Sequence, residues 1–132
     1  MPFLTIITRT FNRPARLEEN KRSLSEQSDR DFEQIIVEDK IGIGIPATYV
    51  ALRSQEASGD YVWLFDDDNV LWDKDFIKKL KELAKQKPDV ILARVKVHTA
   101  SRPVPDVWPP LLGQIDAMSY IVRKDIWHKH RG

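Results

Sequence analysis

The run Tyr61-Val62-Trp63-Leu64-Phe65 is apolar on both alternating faces, with Gly59-Asp60 before it and Asp66-Asp67-Asp68 after it. A short run of that kind reads as a central strand covered by helices on both sides. That one element requires layers above and below it, and the rest of the chain supplies them. Leu4 to Thr8 is a β-branched strand, Arg9 to Arg13 a polar turn, and Pro14 suits the first position of a helix running to about Gln27. The apolar stripe of that helix is narrow, with Leu17 and Leu24 on one face.

Phe32 to Val37 forms a second strand ending in Glu38-Asp39, and the glycine-punctuated segment 41–45 leads to Pro46. A helix with small residues at Ala47, Val50, Ala51, Ser54 and Ala57 precedes the central strand. After it, Asp73 is expected to cap an amphipathic helix with Phe76, Ile77, Leu80, Leu83 and Ala84 inward and its lysines on a solvated face. Asp89 to Val97 follows as a fourth strand, residues 98–114 as a long proline-bearing functional or covering loop, Ile115 to Val122 as a fifth strand, and Lys124 to His130 as a last helix. Three strand-helix alternations in the first 90 residues give an α/β class: a mainly parallel, Rossmann-like sheet with helices on both faces.

At 132 residues the chain suits one domain, residues 1–132, with a single core. Twenty-one Lys and Arg against 20 Asp and Glu leave a charge of +1, so no global field draws it to nucleic acid or an anionic membrane. The absence of cysteine excludes disulfides and thiolate chemistry and fits a reducing compartment, so the cytoplasm is expected. No apolar run approaches the ~20 residues of a membrane span, and the N-terminus lacks the pattern of a secretory signal.

In sheets of this class ligands bind beyond the carboxyl ends of the strands. Three polar clusters stand there: Thr8 to Arg13, Glu38-Asp39 and Asp66 to Asn69. Three successive aspartates repel one another, and burying a lone carboxylate costs several kcal/mol, so the cluster calls for a cation. Mg²⁺ or Mn²⁺ takes one or two carboxylates and completes its shell with water and phosphate oxygens. The plain alternative is a solvated loop in which Asp68 or Asn69 caps a helix. An EF-hand is ruled against by spacing: Val70 and Trp72 fall at ligand positions, the sixth position has no glycine, and Ile77 stands where the closing Glu belongs.

Leu4 to Arg13, Ile35-Ile36-Val37-Glu38-Asp39 and Ala57 to Asp68, in that order and spacing, resemble the successive signatures of family 2 glycosyltransferases of GT-A fold. The resemblance covers roughly residues 3 to 95 and implies metal-dependent transfer of a hexose-type sugar from a nucleotide diphosphate donor, UDP-sugar favoured, to an unknown glycan, lipid or protein acceptor. By position it implies that Thr8, Arg9, Thr10, Asn12 and Arg13 surround the nucleoside and that Asp39 bonds the base. It also implies that Asp66 and Asp67 face the nucleotide and that Asp68, with Asp66, holds Mn²⁺ or Mg²⁺. Two departures accompany it: Tyr49 to Arg53 differs from the Ala-Arg-Asn-like segment of the family, and the usual catalytic-base region lies beyond a glycine resembling Gly132.

Locally, Asp116 is the candidate to touch the sugar or activate an acceptor hydroxyl, against an ordinary strand-edge acid. His130, or His128, is a candidate third metal ligand, against a solvated terminal helix. Trp108 is a candidate stacking platform, against simple packing over the core. Two other classes compete. Asp66 and Asp68 also match the nucleophile and general acid of haloacid-dehalogenase-like phosphatases, where that motif usually ends the first strand. A non-catalytic nucleotide-binding or assembly module is the other; under any of these readings, an apolar face left by the short C-terminus would suit a second copy and a homodimer.

Overall fold

The computed structural model describes residues 2–38, 57–93 and 120–130. The helix expected after Pro46, the end of the fourth strand, the proline-bearing loop and Asp39, Trp108 and Asp116 lie outside them. Strands β1 (Leu4–Thr10), β2 (Phe32–Glu38), β3 (Tyr61–Leu64), β4 (Val90–Leu92) and β5 (Tyr120–Arg123) form one sheet in the order β2-β1-β3-β5-β4. Helices α1 (Pro14–Ser25), α2 (Phe76–Ala84) and α3 (Lys124–His130) complete the described elements. The α/β class stands.

The sheet is mixed, which corrects the mainly parallel expectation. β1 pairs parallel with β2 and with β3, whereas β5 runs antiparallel to both β3 and β4. Hydrophobic alternation assigns a strand but carries no direction, so the reversal of β5 had no sequence signal. β1 also runs two residues further than expected, because Arg9 and Thr10 continue the ladder opposite Val37 and Glu38.

The period of two sorts the side chains. Leu4, Ile6, Tyr61, Trp63 and Phe65 share one face with Ile91 and Ile121 and are covered by Leu24 of α1 and Ile77 and Leu80 of α2. Trp63 stacks between Phe65 and Phe76, with ring centroids 4.5 and 5.1 Å away. On the other face Ile7, Ala57 and Val62 pack with Trp127 of α3. Leu83, expected inward, is 58% exposed. α2 begins at Phe76 rather than at Asp73, because Asp73 Oδ1 accepts the N–H of Asp75 in a preceding turn. The first turn of α2 is satisfied from elsewhere: the Ile77 N–H donates to Oε1 of buried Gln27, whose Nε2 donates to the Asp73 carbonyl.

At the amino end of the sheet, Glu33 Oε1 accepts the hydroxyls of Thr5 and Ser58, each at 2.6 Å, and the Ser58 N–H at 3.1 Å. Burial alone would push this carboxyl up, but the bonds from Ser58 and Thr5 outweigh it and leave its pKa below the ordinary glutamate value. Thr5 Oγ1 in turn accepts the Gly59 N–H at 2.8 Å. Gly59 is pressed against β1 so closely that a β-carbon there would lie 2.5 Å from Thr5 N and 2.7 Å from the Leu4 carbonyl carbon.

Candidate functional site at the β1/β3 carboxyl ends

From β1 the chain crosses to β2 on one side and then to β3 on the other, so the winding reverses between β1 and β3. The carboxyl ends of two such strands diverge and leave a crevice, the usual ligand position in open α/β sheets. Thr10 ends β1 at that crevice, and Asp66, Asp67 and Asp68 follow β3 into it. Asn12, at φ 51°, makes the left-handed bend that turns the chain from β1 into α1, and asparagine tolerates that conformation better than most residues. Pro14 then starts the helix with its fixed φ.

The three aspartates have three different environments. Asp67 is fully buried: its Oδ2 accepts the Thr10 hydroxyl at 2.8 Å, and its Oδ1 lies 2.6 Å from Arg13 Nη2. Its N–H also donates to the Arg9 carbonyl. Its carboxylate is thus occupied in joining β1, the start of α1 and the acidic turn. Asp68 is 45% exposed, with Arg13 Nη1 at 3.8 Å and Asn69 Nδ2 at 3.0 Å. Asp66 is half-buried, and burial, followed by the charge of Asp68, pushes its carboxyl above the ordinary aspartate value against the opposing pull of Arg9.

The remaining expected site residues are distributed unevenly. Thr8 is buried under α1, where its hydroxyl oxygen accepts Gln34 Nε2. Arg9 is half-buried, Asn12 exposed and Arg13 35% exposed. The structure therefore brings Thr10, Arg13 and the acidic triplet together and turns Thr8 into the interior. α3 starts at the amino end of β3, where the Lys124 N–H donates to the Asp60 carbonyl. There His128 Nε2 lies 3.3 Å from the Ala57 carbonyl, at the end of β3 opposite Asp66. The His130 side chain lies outside the described residues.

Among the described residues no three His, Asp or Glu side chains converge on a point that could hold an ion. With Asp67 committed to Thr10 and Arg13, Asp66 and Asp68 are the two carboxylates of the turn left for a ligand. Burial first and the charge of Asp68 second raise the pKa of Asp66, and a hard divalent cation, which takes carboxylates in ones and twos, would relieve both.

The residue that fixes this turn stands outside all the motifs of the sequence. Asn20 of α1 is fully buried, and its Nδ2 donates to the carbonyls of Asp66 at 3.0 Å and Asn69 at 2.9 Å. Its Oδ1 accepts Gln34 Nε2 at 2.8 Å. One turn further along α1, Ser23 Oγ accepts the Leu71 N–H at 3.0 Å. The signal was present: Asn20 falls between Leu17 and Leu24 at helical spacing, and a polar side chain on a buried stripe must find partners.

A carboxyl whose folded pKa is raised binds its proton more tightly in the folded state, so its penalty to the fold builds as pH rises above the unfolded pKa and is complete above the folded one. Asp66→Asn is therefore expected to raise stability at neutral pH by about 1 kcal/mol. The advantage over the parent should shrink as pH falls below the folded pKa of Asp66. Urea unfolding of both proteins across that range checks the sign, and an Asn variant less stable at pH 7 would contradict it.

These elements share their fold with solved structures of one known protein. No family model matches the chain, nor does any curated protein sequence. Among solved structures it is similar to Staphylococcus aureus TarS 1-349, with TM-score 0.67 and 21% identity. It is similar also to the same protein in complex with UDP, at 0.68 and 21%, and in complex with UDP-GlcNAc, at 0.64 and 19%. Each comparison covers 94% of this chain and at most 47% of the TarS chain, so this chain spans less than half of those structures. No helix among the described residues is long and apolar enough to cross a membrane.

Proposed function

We propose that the chain is a single GT-A-like domain of a family 2 glycosyltransferase that binds a nucleotide diphosphate sugar, UDP-linked by preference, in the β1/β3 crevice. The observation that carries this reading is the acidic turn itself: two carboxylates, Asp66 and Asp68, left available at the switch point by a third that is tied to Thr10 and Arg13. The TarS complexes with UDP and UDP-GlcNAc support the choice of donor. The phosphatase alternative fits less well, since its motif belongs at the end of a first strand and this one follows the third.

Asp68 and Asp66 would hold Mn²⁺ or Mg²⁺, which when bound neutralises the charge of a diphosphate leaving group. Asp67 keeps the Arg13 guanidinium at the mouth of the crevice, where that cation can meet phosphate oxygens. Arg9, Asn12 and Asp39 belong to the nucleoside side in this reading, while Asp116 and the acceptor, a glycan, lipid or protein, belong to the transfer step. A cytoplasmic location and association with a second copy complete the proposal.

Titration calorimetry with UDP, GDP and ADP and their sugar conjugates, with and without Mn²⁺, tests it. Mn²⁺-dependent binding of one diphosphate is expected. Absence of binding by all of them would overturn the reading, and binding without transfer to any acceptor would favour the assembly module.

A further inference from the structure

We propose that Asn20 is a positioning residue for the donor-binding turn, holding residues 66–69 in the conformation that presents Asp66 and Asp68. The proposal rests on the functional reading above for the word donor, and on this structure for the rest.

Asn20 is separated by more than 40 residues from the turn it holds, and it touches it only through main-chain carbonyls. Both hydrogens of its Nδ2 are used, one on Asp66 O and one on Asn69 O, and these two carbonyls bracket the triplet. Between them the Asn69 N–H donates to the Asp66 carbonyl, closing the turn. The amide is itself oriented: Gln34 Nε2 gives one hydrogen to Asn20 Oδ1 and the other to Thr8 Oγ1, anchoring it to β2 and β1. Every polar atom of the Asn20 side chain is thereby matched in a fully buried place, where an unmatched one would be costly. Ser23, on the same face of α1, carries the grip on to Leu71.

The arrangement has a chemical reason. Side-chain contacts to Asp66 or Asp68 would compete with a cation or a diphosphate for the same oxygens. Holding the turn by its carbonyls fixes where the carboxylates stand without Asn20 taking any of their oxygens. An amide in this position also adds no charge to a site that already contains three acids.

Amide hydrogen exchange and titration calorimetry on the whole chain test the proposal. In Asn20→Ala, exchange at the Asp67 and Asn69 amides should accelerate about tenfold, the effect of losing one net buried hydrogen bond, while the β1 ladder amides keep their rates. Ser25→Ala, which removes a hydroxyl bond to Arg22 O on the exposed side of the same helix, should leave the turn unchanged. Mn²⁺-dependent UDP affinity of Asn20→Ala, measured well below its unfolding temperature, should fall about tenfold or more while uridine affinity changes little. A merely structural loss would lower both alike.

Uniform acceleration across the chain, unchanged turn amides, or equal loss of UDP and uridine would each overturn the proposal. Should Asn20→Ala fail to fold, Gln34→Met removes the bonds to Asn20 Oδ1 and Thr8 Oγ1 while leaving Asn20 in place, and the same two turn amides must accelerate in it or the proposal falls. If the parent protein binds no nucleotide, the functional reading fails by itself, and the exchange rates still decide whether Asn20 holds the turn.

Discussion

Gly59→Ala is expected to destabilise the protein by about 3 kcal/mol or more, the upper range for forcing atoms into a packed site. The added carbon would meet backbone, Thr5 N at 2.5 Å and the Leu4 carbonyl carbon at 2.7 Å, rather than the end of a flexible side chain. Relief requires β1 and the start of β3 to separate, and these strands are paired from Leu4↔Tyr61 onward. It would also stretch the Gly59 N–H bond to Thr5 Oγ1, the hydroxyl that in turn donates to Glu33. Chemical unfolding of parent and variant provides the check. A loss below about 0.5 kcal/mol, the usual size of a surface change, would mean that the contact between the two strands is looser than described.

Asp68→Ala is expected to reduce Mn²⁺-dependent binding of a uridine diphosphate donor by about 100-fold or more, since even indirect partners of a metal site cost 10–100-fold when lost. Stability should change by no more than about 0.5 kcal/mol, because the side chain is 45% exposed and its contact with Arg13 is a long one of 3.8 Å. The principal partner of Arg13, Asp67 at 2.6 Å, is untouched by the substitution. Loss of binding with an intact unfolding curve would place the carboxylate in the site. Unchanged donor affinity in Mn²⁺ would remove Asp68 from the metal assignment and leave Asp66 to account for it.

Much of this arrangement was legible in the residues. The β-branched runs of β1 and β2, the two-faced apolar run of β3 and the 3.6-residue period of α2 each bury a face that the sequence marks, so their existence and order could be read directly. The position of the acidic triplet followed from β3. The different fates of its members did not, because adjacent aspartates look alike until Thr10 and Arg13 are brought across from β1 and α1 to take one of them. Asn20 was hidden for the same reason: its partners lie on the turn at 66–69, and a polar residue inside a weak helical stripe announces burial only when those partners are known. Leu83 shows the opposite failure, an apolar residue in phase with the inward face that nonetheless stands exposed.

The reversed strand β5 also dictates when the sheet can be completed on the ribosome. β1, β2 and β3 emerge in order and pair directly, but among the described residues β4 finds its sheet partner in residues 120–123, which also pair with β3. At about 5–20 residues per second, synthesis of residues 93–119 takes a few seconds. Throughout that interval the β3 edge that β5 will occupy, with Val62 and Trp63 on it, lacks its native neighbour. An unpaired edge of that kind readily joins another chain. Nascent copies would therefore be most in need of a chaperone during this window, after β1 and β3 have paired and before β5 joins them.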